Sequence, residues 1–231
     1  MAPVDTAVPE AAHLAAPRGG RREPLPVVPA LASLLPAGVL RPGTVVSVTG
    51  STSLALALLA APSQAGSWCA AVGVPGLGLL SAAEHGVDLE RLVLVAHPGR
   101  AWATVVATLV EALDVVLVRP GRGGAESDVR RLAARVRERE AVVVSLGEWA
   151  GADVRLTQTR CRWVGLGLGH GHLRARRVEV QSSGRGAAAR PRSAVLWLPA
   201  VGGRAEPVVT AGPGAAPVVV PVAEMDATQS A

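Results

Sequence analysis

Near its start the chain carries an apolar strand that passes through a turn of small residues into an apolar helix. The strand is the run Val45–Val48, the turn begins at Gly50, and the helical pattern covers Ser53–Ala61. That helical segment is apolar on all sides, which is typical of a helix buried against a sheet. The arrangement predicts an α/β domain whose first strand and first helix are joined by a tight, glycine-containing turn.

The turn occupies the place where nucleotide-binding α/β domains hold phosphate. A working phosphate loop reads G-x-x-x-x-G-K-[ST], with backbone N–H groups around the phosphates and a lysine that contacts them. Here the loop is shortened and lacks the second glycine and the lysine, and all 23 basic residues of the chain are arginine. Two interpretations stay open: a tight turn whose serine or threonine caps the helix, or a weak phosphate site at the helix start. The residues concerned are Gly50, Ser51, Thr52 and Ser53.

Strands and helices alternate along the middle of the chain. Apolar runs separated by helical patterns imply βαβ crossovers and a parallel sheet. After residue 150 the helical patterns stop, and alternating runs predict antiparallel strands. The predicted strands are Val45–Val48, Ser67–Val74, Leu92–Val95, Val115–Val118, Ala141–Ser145, Val154–Val164, Leu173–Gln181 and Ala194–Leu198; the predicted helices are Ser53–Ala61, Leu79–His85, Ala101–Leu113 and one with Val129, Leu132, Ala133 and Val136 on a single face.

One domain at residues 25–200 is predicted between two tails. Residues 1–24 and 201–231 are rich in proline, alanine and glycine, a composition typical of disorder. Pro62 is expected to end the first long helix, and Gly165–His172 to form a flexible hairpin connection. The predicted core is Val46, Val48, Leu56, Leu59, Val72, Leu94, Val106, Leu109, Val116, Leu117, Leu132 and Val143.

Composition narrows the function classes. The formal net charge is +5, which permits weak contact with DNA without establishing it. Cys69 and Cys161 are far apart and lack the spacing of metal ligands, so we expect buried reduced thiols and no metal. No run of 18 apolar residues and no signal peptide is recognisable, so a cytoplasmic location without membrane contact is expected.

The order of these elements and several short sequence segments within them resemble the RecA-type ATPase core. The resemblance covers about Leu25–Gln181 and implies a RecA-like P-loop core: a central, mostly parallel sheet flanked by helices and followed by antiparallel strands. Within that family the chain looks most similar to the RecA-like accessory proteins of the actinobacterial mutasome, the ImuA group, which are also described as SulA-like. The segments that carry the resemblance are Leu31–Gly43, Thr49–Leu54, Gly66–Ala70, Gly73–Gly78 and Glu84–Gly99.

Three charged parts of the family's catalytic site have no counterpart here. The lysine of the phosphate loop is missing. In the family an acid at the end of the fourth strand reaches Mg²⁺, but here Arg119 and Pro120 follow that strand. The family's catalytic glutamate follows the second strand, where this chain has Gly73–Gly76. Hydrolysis needs those charges to hold phosphate, metal and water. The chain is therefore expected not to be an enzyme and to use no cofactor. The segments Gly121–Ser127 and Gly147–Gly151 also look too short for DNA-binding loops, so filament formation is not expected.

A basic region near the end of the domain is the candidate partner-binding surface. Arginine and tryptophan are enriched at energetic hot spots of protein interfaces. A solvated strand face is the alternative interpretation, and Trp149, Trp163 and Trp197 fit interface anchors and core fillers equally well. The candidate residues are Arg174, Arg176, Arg177, Arg185, Arg190, Arg192 and Trp197.

The resemblance implies a function in damage-induced translesion DNA synthesis. The chain would be a non-catalytic scaffold that binds an ImuB-type Y-family polymerase homologue and an error-prone replicative-type polymerase. A SulA-like inhibitor of cell division and a reduced recombinase with weak nucleotide binding are the alternatives.

Overall fold

A computed structural model of the chain describes residues 22–121, 126–166 and 171–208. In these ranges the helices are α1 (Pro29–Ala32), α2 (Thr52–Gln64), α3 (Leu79–Glu84), α4 (Trp102–Ala112) and α5 (Glu126–Arg139). The strands are β1 (Thr44–Thr49), β2 (Cys69–Val72), β3 (Leu92–Val95), β4 (Val115–Val118), β5 (Val142–Leu146), β6 (Val154–Leu166), β7 (Gly171–Gly184), β8 (Arg192–Trp197) and β9 (Glu206–Pro207).

All nine strands form one sheet in the order β3-β2-β4-β5-β1-β6-β7-β8-β9. Strands β1 to β6 pair in parallel, and β7, β8 and β9 each run antiparallel to the strand before them. The predicted α/β class, with a mostly parallel sheet followed by antiparallel strands, is confirmed. Because β1 lies between β5 and β6, the turn that follows it sits at the middle of the sheet's carboxyl edge.

Helices cover the two faces of this sheet to different extents. Helices α1, α2 and α3 pack on one side, and α4 and α5 on the other; we call these the α2 side and the α4–α5 side. The core on the α2 side continues under the antiparallel strands through Leu156, Val178 and Leu196. The core on the α4–α5 side reaches Val45 of β1 and contains no described residue of β6 to β9. The antiparallel part of the sheet is therefore uncovered by any described helix on that side.

Most of the predicted core is buried, and the exception follows from the strand order. Ten of the twelve predicted core residues are buried, Leu109 is partly buried, and Leu94 is 43% exposed. The prediction for Leu94 is wrong because β3 is the outermost strand and has a neighbour, β2, on one side only. In β4, by contrast, all four residues are buried between β2 and β5, as expected for a central parallel strand.

The predicted end of the first long helix is also wrong. Helix α2 continues through Pro62 to Gln64, and Pro62 itself is buried. Proline removes one backbone donor and crowds the preceding turn. Since Pro62 lies in the last turn of α2, few helical hydrogen bonds depend on it. The chain reverses only after Gln64, where the Ser67 N–H donates to the Pro62 carbonyl over 3.0 Å.

Several predictions fall on residues that the structure does not describe. These are residues 1–21 and 209–231 of the tails, 122–125 of the segment after β4, and 167–170 of the β6–β7 connection. At the described ends of the chain, Leu25 pairs with Leu40, and Glu206–Pro207 adds a strand beyond residue 200. Among the described helices, none has the length and apolar character needed to cross a membrane.

Candidate functional site

The turn after β1 is a helix cap in this structure. Gly50 has a φ of 83°, and Ser51 is extended, so the chain turns sharply before α2 begins at Thr52. The Ser51 hydroxyl oxygen accepts a hydrogen bond from the Leu54 N–H over 3.2 Å. A serine in this position satisfies one of the unpaired N–H groups at a helix start. Ser51 therefore caps α2, as the first interpretation expects, and the weak phosphate site stays a prediction.

Gly50 is required by the packing of the turn as well as by its backbone angle. A Cβ atom at this position would lie 3.2 Å from the carbonyl oxygen of Gln158 in β6. A positive φ is itself unfavourable for residues other than glycine. The glycine that sequence analysis associated with a phosphate loop thus has a structural role that needs no ligand.

A guanidinium group from β7 lies against this turn, although the turn has no lysine of its own. Arg176 Nη2 is 3.4 Å from the Ser51 hydroxyl oxygen, and Arg176 Nε donates to the Leu198 carbonyl over 2.7 Å. Its guanidinium carbon lies 5.3 Å from the centre of the Trp163 ring, within the range of a cation–π contact. Burial lowers the pKa of Arg176. The guanidinium group of Arg176 therefore interacts with Ser51, Leu198 and Trp163 of the protein itself.

Among the strand ends at this edge of the sheet, those of β2 and β4 bring no acid, whereas the end of β5 brings one. Strand β4 is followed by Arg119, whose N–H donates to the Val72 carbonyl over 3.0 Å, and β2 is followed by Gly73. Strand β5 is followed by Gly147 and then by the exposed Glu148. Within the described ranges, no group of three His, Cys, Asp or Glu residues is arranged to hold a metal ion.

One buried histidine lies behind α3. His85 is 4% exposed, and its Nδ1 is 2.7 Å from the Ser81 carbonyl oxygen, so Nδ1 carries the proton that is donated there. Its Nε2 is buried without a hydrogen-bond partner among the described residues. Burial, with a smaller contribution from the positive charge of Arg176, lowers the pKa of His85. The ring is therefore a neutral core group at physiological pH.

The structure divides the predicted partner-binding residues between the two ends of β7. Arg174, Arg176 and Arg177 lie near its start, whereas Arg185 follows its end. Eleven residues of extended chain correspond to about 35 Å, too far for one contact patch. Arg185 Nη2 is 3.2 Å from Asp153 Oδ1 and also donates to the Gly151 carbonyl. The remaining predicted residues near that end of β7 are Arg190 and Arg192.

The strand register places Arg176 and Arg177, at the start of β7, on opposite faces of the sheet. Arg176 pairs with Trp163 and faces α2, while Arg177 pairs with Arg162 of β6 and with Trp197 of β8. Because successive side chains alternate across a sheet, Arg177 and Trp197 lie on the uncovered α4–α5 side. We call this surface the basic sheet face; its residues are Arg155, Arg160, Arg162, Arg177 and Trp197.

Sequence analysis missed the β6 arginines of the basic sheet face. Arg155 and Arg162 are exposed, and Arg160 is paired with Glu179 at 3.8 Å. A register shift between Gln158 and Arg160 changes which β6 positions share a face. Alternation from Val154 onward does not predict that shift.

The three candidate tryptophans divide between core and surface. Trp149 is 2% exposed and belongs to the core on the α4–α5 side. Trp163 is 37% exposed, and Trp197 is partly buried at the rim of the basic sheet face. Only Trp163 and Trp197 therefore keep surface that a partner can contact.

Comparisons with known proteins find one family model, which matches the parallel half of the fold, and one relative. A family model described as MT3502 N-terminal domain matches residues 33–151, which run from the end of α1 to the residues after β5. A protein of Mycobacterium tuberculosis (strain ATCC 25618 / H37Rv), described as uncharacterized protein Rv3395c, is 39% identical over 132 residues. That alignment covers 55% of this chain and 65% of the relative, so it spans slightly less than two thirds of the relative's length. The basic sheet face lies outside the family match.

Proposed function

The chain belongs to the MT3502 N-terminal domain family, and we propose that it is a non-catalytic, RecA-like accessory protein of damage-induced translesion DNA synthesis. In this proposal the chain is a cytoplasmic scaffold of the ImuA group that needs no cofactor. Its partners, taken from the resemblance alone, are an ImuB-type Y-family polymerase homologue and an error-prone replicative-type polymerase. The actinobacterial origin of the relative is consistent with that group.

The composition of the turn after β1 is the main support for a non-catalytic role. No lysine is present there, the ends of β2 and β4 carry no acid, and the Ser51 hydroxyl already caps α2. Glu148, after β5, is the acid at this edge, and it has no lysine of a phosphate loop beside it. Arg176 is a cation in contact with this turn, and it is bound to Ser51 and to the Leu198 carbonyl. Phosphoryl transfer depends almost entirely on positioned charge. A function based on binding partners needs none of these groups.

The basic sheet face is the surface that best fits such a partner. Arg162 and Arg177 stand directly opposite each other on neighbouring strands. Guanidinium groups form charge-assisted hydrogen bonds with carboxylates, so two arginines on adjacent strands suit an acidic group. Trp197 is the cross-strand neighbour of Arg177 and adds apolar contact area. We therefore propose an acidic segment of the polymerase homologue as the bound element.

The first test is ATP hydrolysis. Purified protein with MgATP, with or without single-stranded DNA, is expected to release phosphate no faster than buffer, because the charges that hold phosphate and metal are missing. The measurement is phosphate release over several hours. Turnover that survives repurification and is lost in Gly50→Ala would contradict the proposal.

The second test is binding to the purified polymerase homologue by calorimetry. Arg177→Ala and Trp197→Ala together are expected to weaken the complex by about 30-fold or more, as for the loss of a hot spot worth about 2 kcal/mol. The matched control is Arg130→Ala on α5, whose side chain is 69% exposed and whose ion pair with Glu126 is a surface pair. Folding of each variant is checked by circular dichroism.

Two results would contradict this assignment: unchanged affinity in the folded double variant, or an equal loss in the control. Truncation near Val180 is not a useful variant, because it removes β8 together with the end of β7. The point substitutions remove the side chains of Arg177, which is exposed, and Trp197, which is partly buried, and they delete no strand.

A further inference from the structure

Strand β3 is an apolar edge that the described part of the chain leaves open. Its four residues, Leu92–Val95, are all aliphatic, yet none is fully buried, and Leu94 is 43% exposed. One side of β3 pairs with β2, and no described strand pairs with the other. Parallel strands with continuous apolar sequences are normally covered on both faces.

Other leucines extend this apolar edge. Leu79 and Leu80, in the first turn of α3, are 46% and 74% exposed, and Leu89, just before β3, is 39% exposed. Leu94 shares its face with Leu92, which packs against the core on the α2 side, where α3 also lies. Isolated exposed leucines are common, but a group of them beside an open strand marks an interaction surface.

Apart from its short length of four residues, strand β3 lacks the usual protection of a free edge. Natural edge strands carry charges, proline or bulges that prevent pairing with another chain. Between Leu92 and Val95 there is no charged residue and no proline, and the register with β2 is continuous. The backbone groups on its outer side are thus available to another strand.

We propose that this edge is an interface between two copies of the chain, with β3 of one copy antiparallel to β3 of the other. The flanking charges favour that occupant. Asp88 and Glu90 precede the strand, and His97 and Arg100 follow it. In an antiparallel pair of identical strands, the segment before one strand lies beside the segment after the other. When Leu92 of one copy pairs with Val95 of the other, Glu90 stands opposite His97, and Arg100 lies three residues beyond that position.

The remaining charge at this edge does not oppose the arrangement. Arg91 lies 3.9 Å from Asp88, donates to the Gly66 carbonyl over 3.0 Å, and lies over the ring of Trp68. It is thus folded back onto its own copy. A parallel pairing would instead bring Glu90 beside Glu90, which is unfavourable. The two-fold arrangement uses the same surface twice, so it closes as a dimer and does not grow into a filament.

The test is the mass of the full chain in solution by sedimentation equilibrium, at concentrations up to about 100 µM, since small interfaces give weak dimers. The parent protein is expected to approach twice the chain mass. Leu94→Lys, which places a charge on the open edge, is expected to weaken the dimer at least about tenfold with little change in melting. The control is Leu173→Lys, because Leu173 is 51% exposed and lies in β7, six strands away from β3 in the sheet.

A charge exchange tests the antiparallel direction independently of Leu94. Glu90→Arg alone is expected to weaken the dimer, and Glu90→Arg combined with Arg100→Glu is expected to restore it, because both residues are exposed and the flanks exchange sign together. A monomeric parent at every concentration, a dimer unaffected by Leu94→Lys, or a combined variant no better than Glu90→Arg would each overturn the proposal. The outcome is independent of binding to the polymerase homologue.

Discussion

Val116→Asp is expected to abolish cooperative folding of the chain. Val116 is fully buried in β4, which pairs with β2 and β5, and its side chain belongs to the core on the α4–α5 side. An aspartate there would leave a carboxylate with no counter-charge in an apolar core, and even its neutral form would lack hydrogen-bond partners. The expected loss is about 4 kcal/mol or more, a large part of the stability of an ordinary domain.

Urea unfolding followed by circular dichroism and tryptophan fluorescence measures this loss. The matched control is Val201→Asp, the same substitution at a side chain that is 79% exposed. It is expected to change stability by no more than about 0.5 kcal/mol. A Val116→Asp protein that unfolds at the urea concentration of the parent would show that β4 is not a central strand.

Two similar apolar runs illustrate how far the fold follows from the sequence. Leu92–Val95 and Val115–Val118 are both predicted correctly as strands, from their apolar continuity and the turns around them. Their burial differs because β3 is outermost and β4 is central. The order of the strands in the sheet depends on the direction in which each crossover connection runs. The local sequence of these two strands does not indicate that direction. The class of the fold was therefore predictable, and the exposure of Leu94 was not.

The site was predictable only where it depends on neighbours in the sequence. The serine cap of α2 follows from residues three positions apart, Ser51 and Leu54. The contact between Ser51 and Arg176 joins residues 125 positions apart and depends on β7 crossing beside β6. The arginines between Arg174 and Arg192 are likewise separated, because β7 is 14 residues long.

Trp149→Ala is expected to destabilise the chain by about 3–5 kcal/mol, the usual cost of removing a large aromatic side chain from a core. Trp149 is 2% exposed and follows β5, where it packs in the same core as Val143 and Ala152. The core cannot close around so large a void without moving β5 or β6. Urea unfolding measures the loss, with the slope of the transition as a check that the variant still unfolds in one step.

Trp149→Phe separates packing from hydrogen bonding at the same position. The indole Nε1 is buried and has no hydrogen-bond partner among the described residues, so the tryptophan retains the cost of desolvating that N–H. Phenylalanine removes the unsatisfied donor and leaves a smaller void than alanine. The two effects oppose each other, and we expect Trp149→Phe to remain within about 1 kcal/mol of the parent. A loss as large as that of Trp149→Ala would mean that the indole N–H is bonded in solution, and that the polar contact holds the residues after β5 in place.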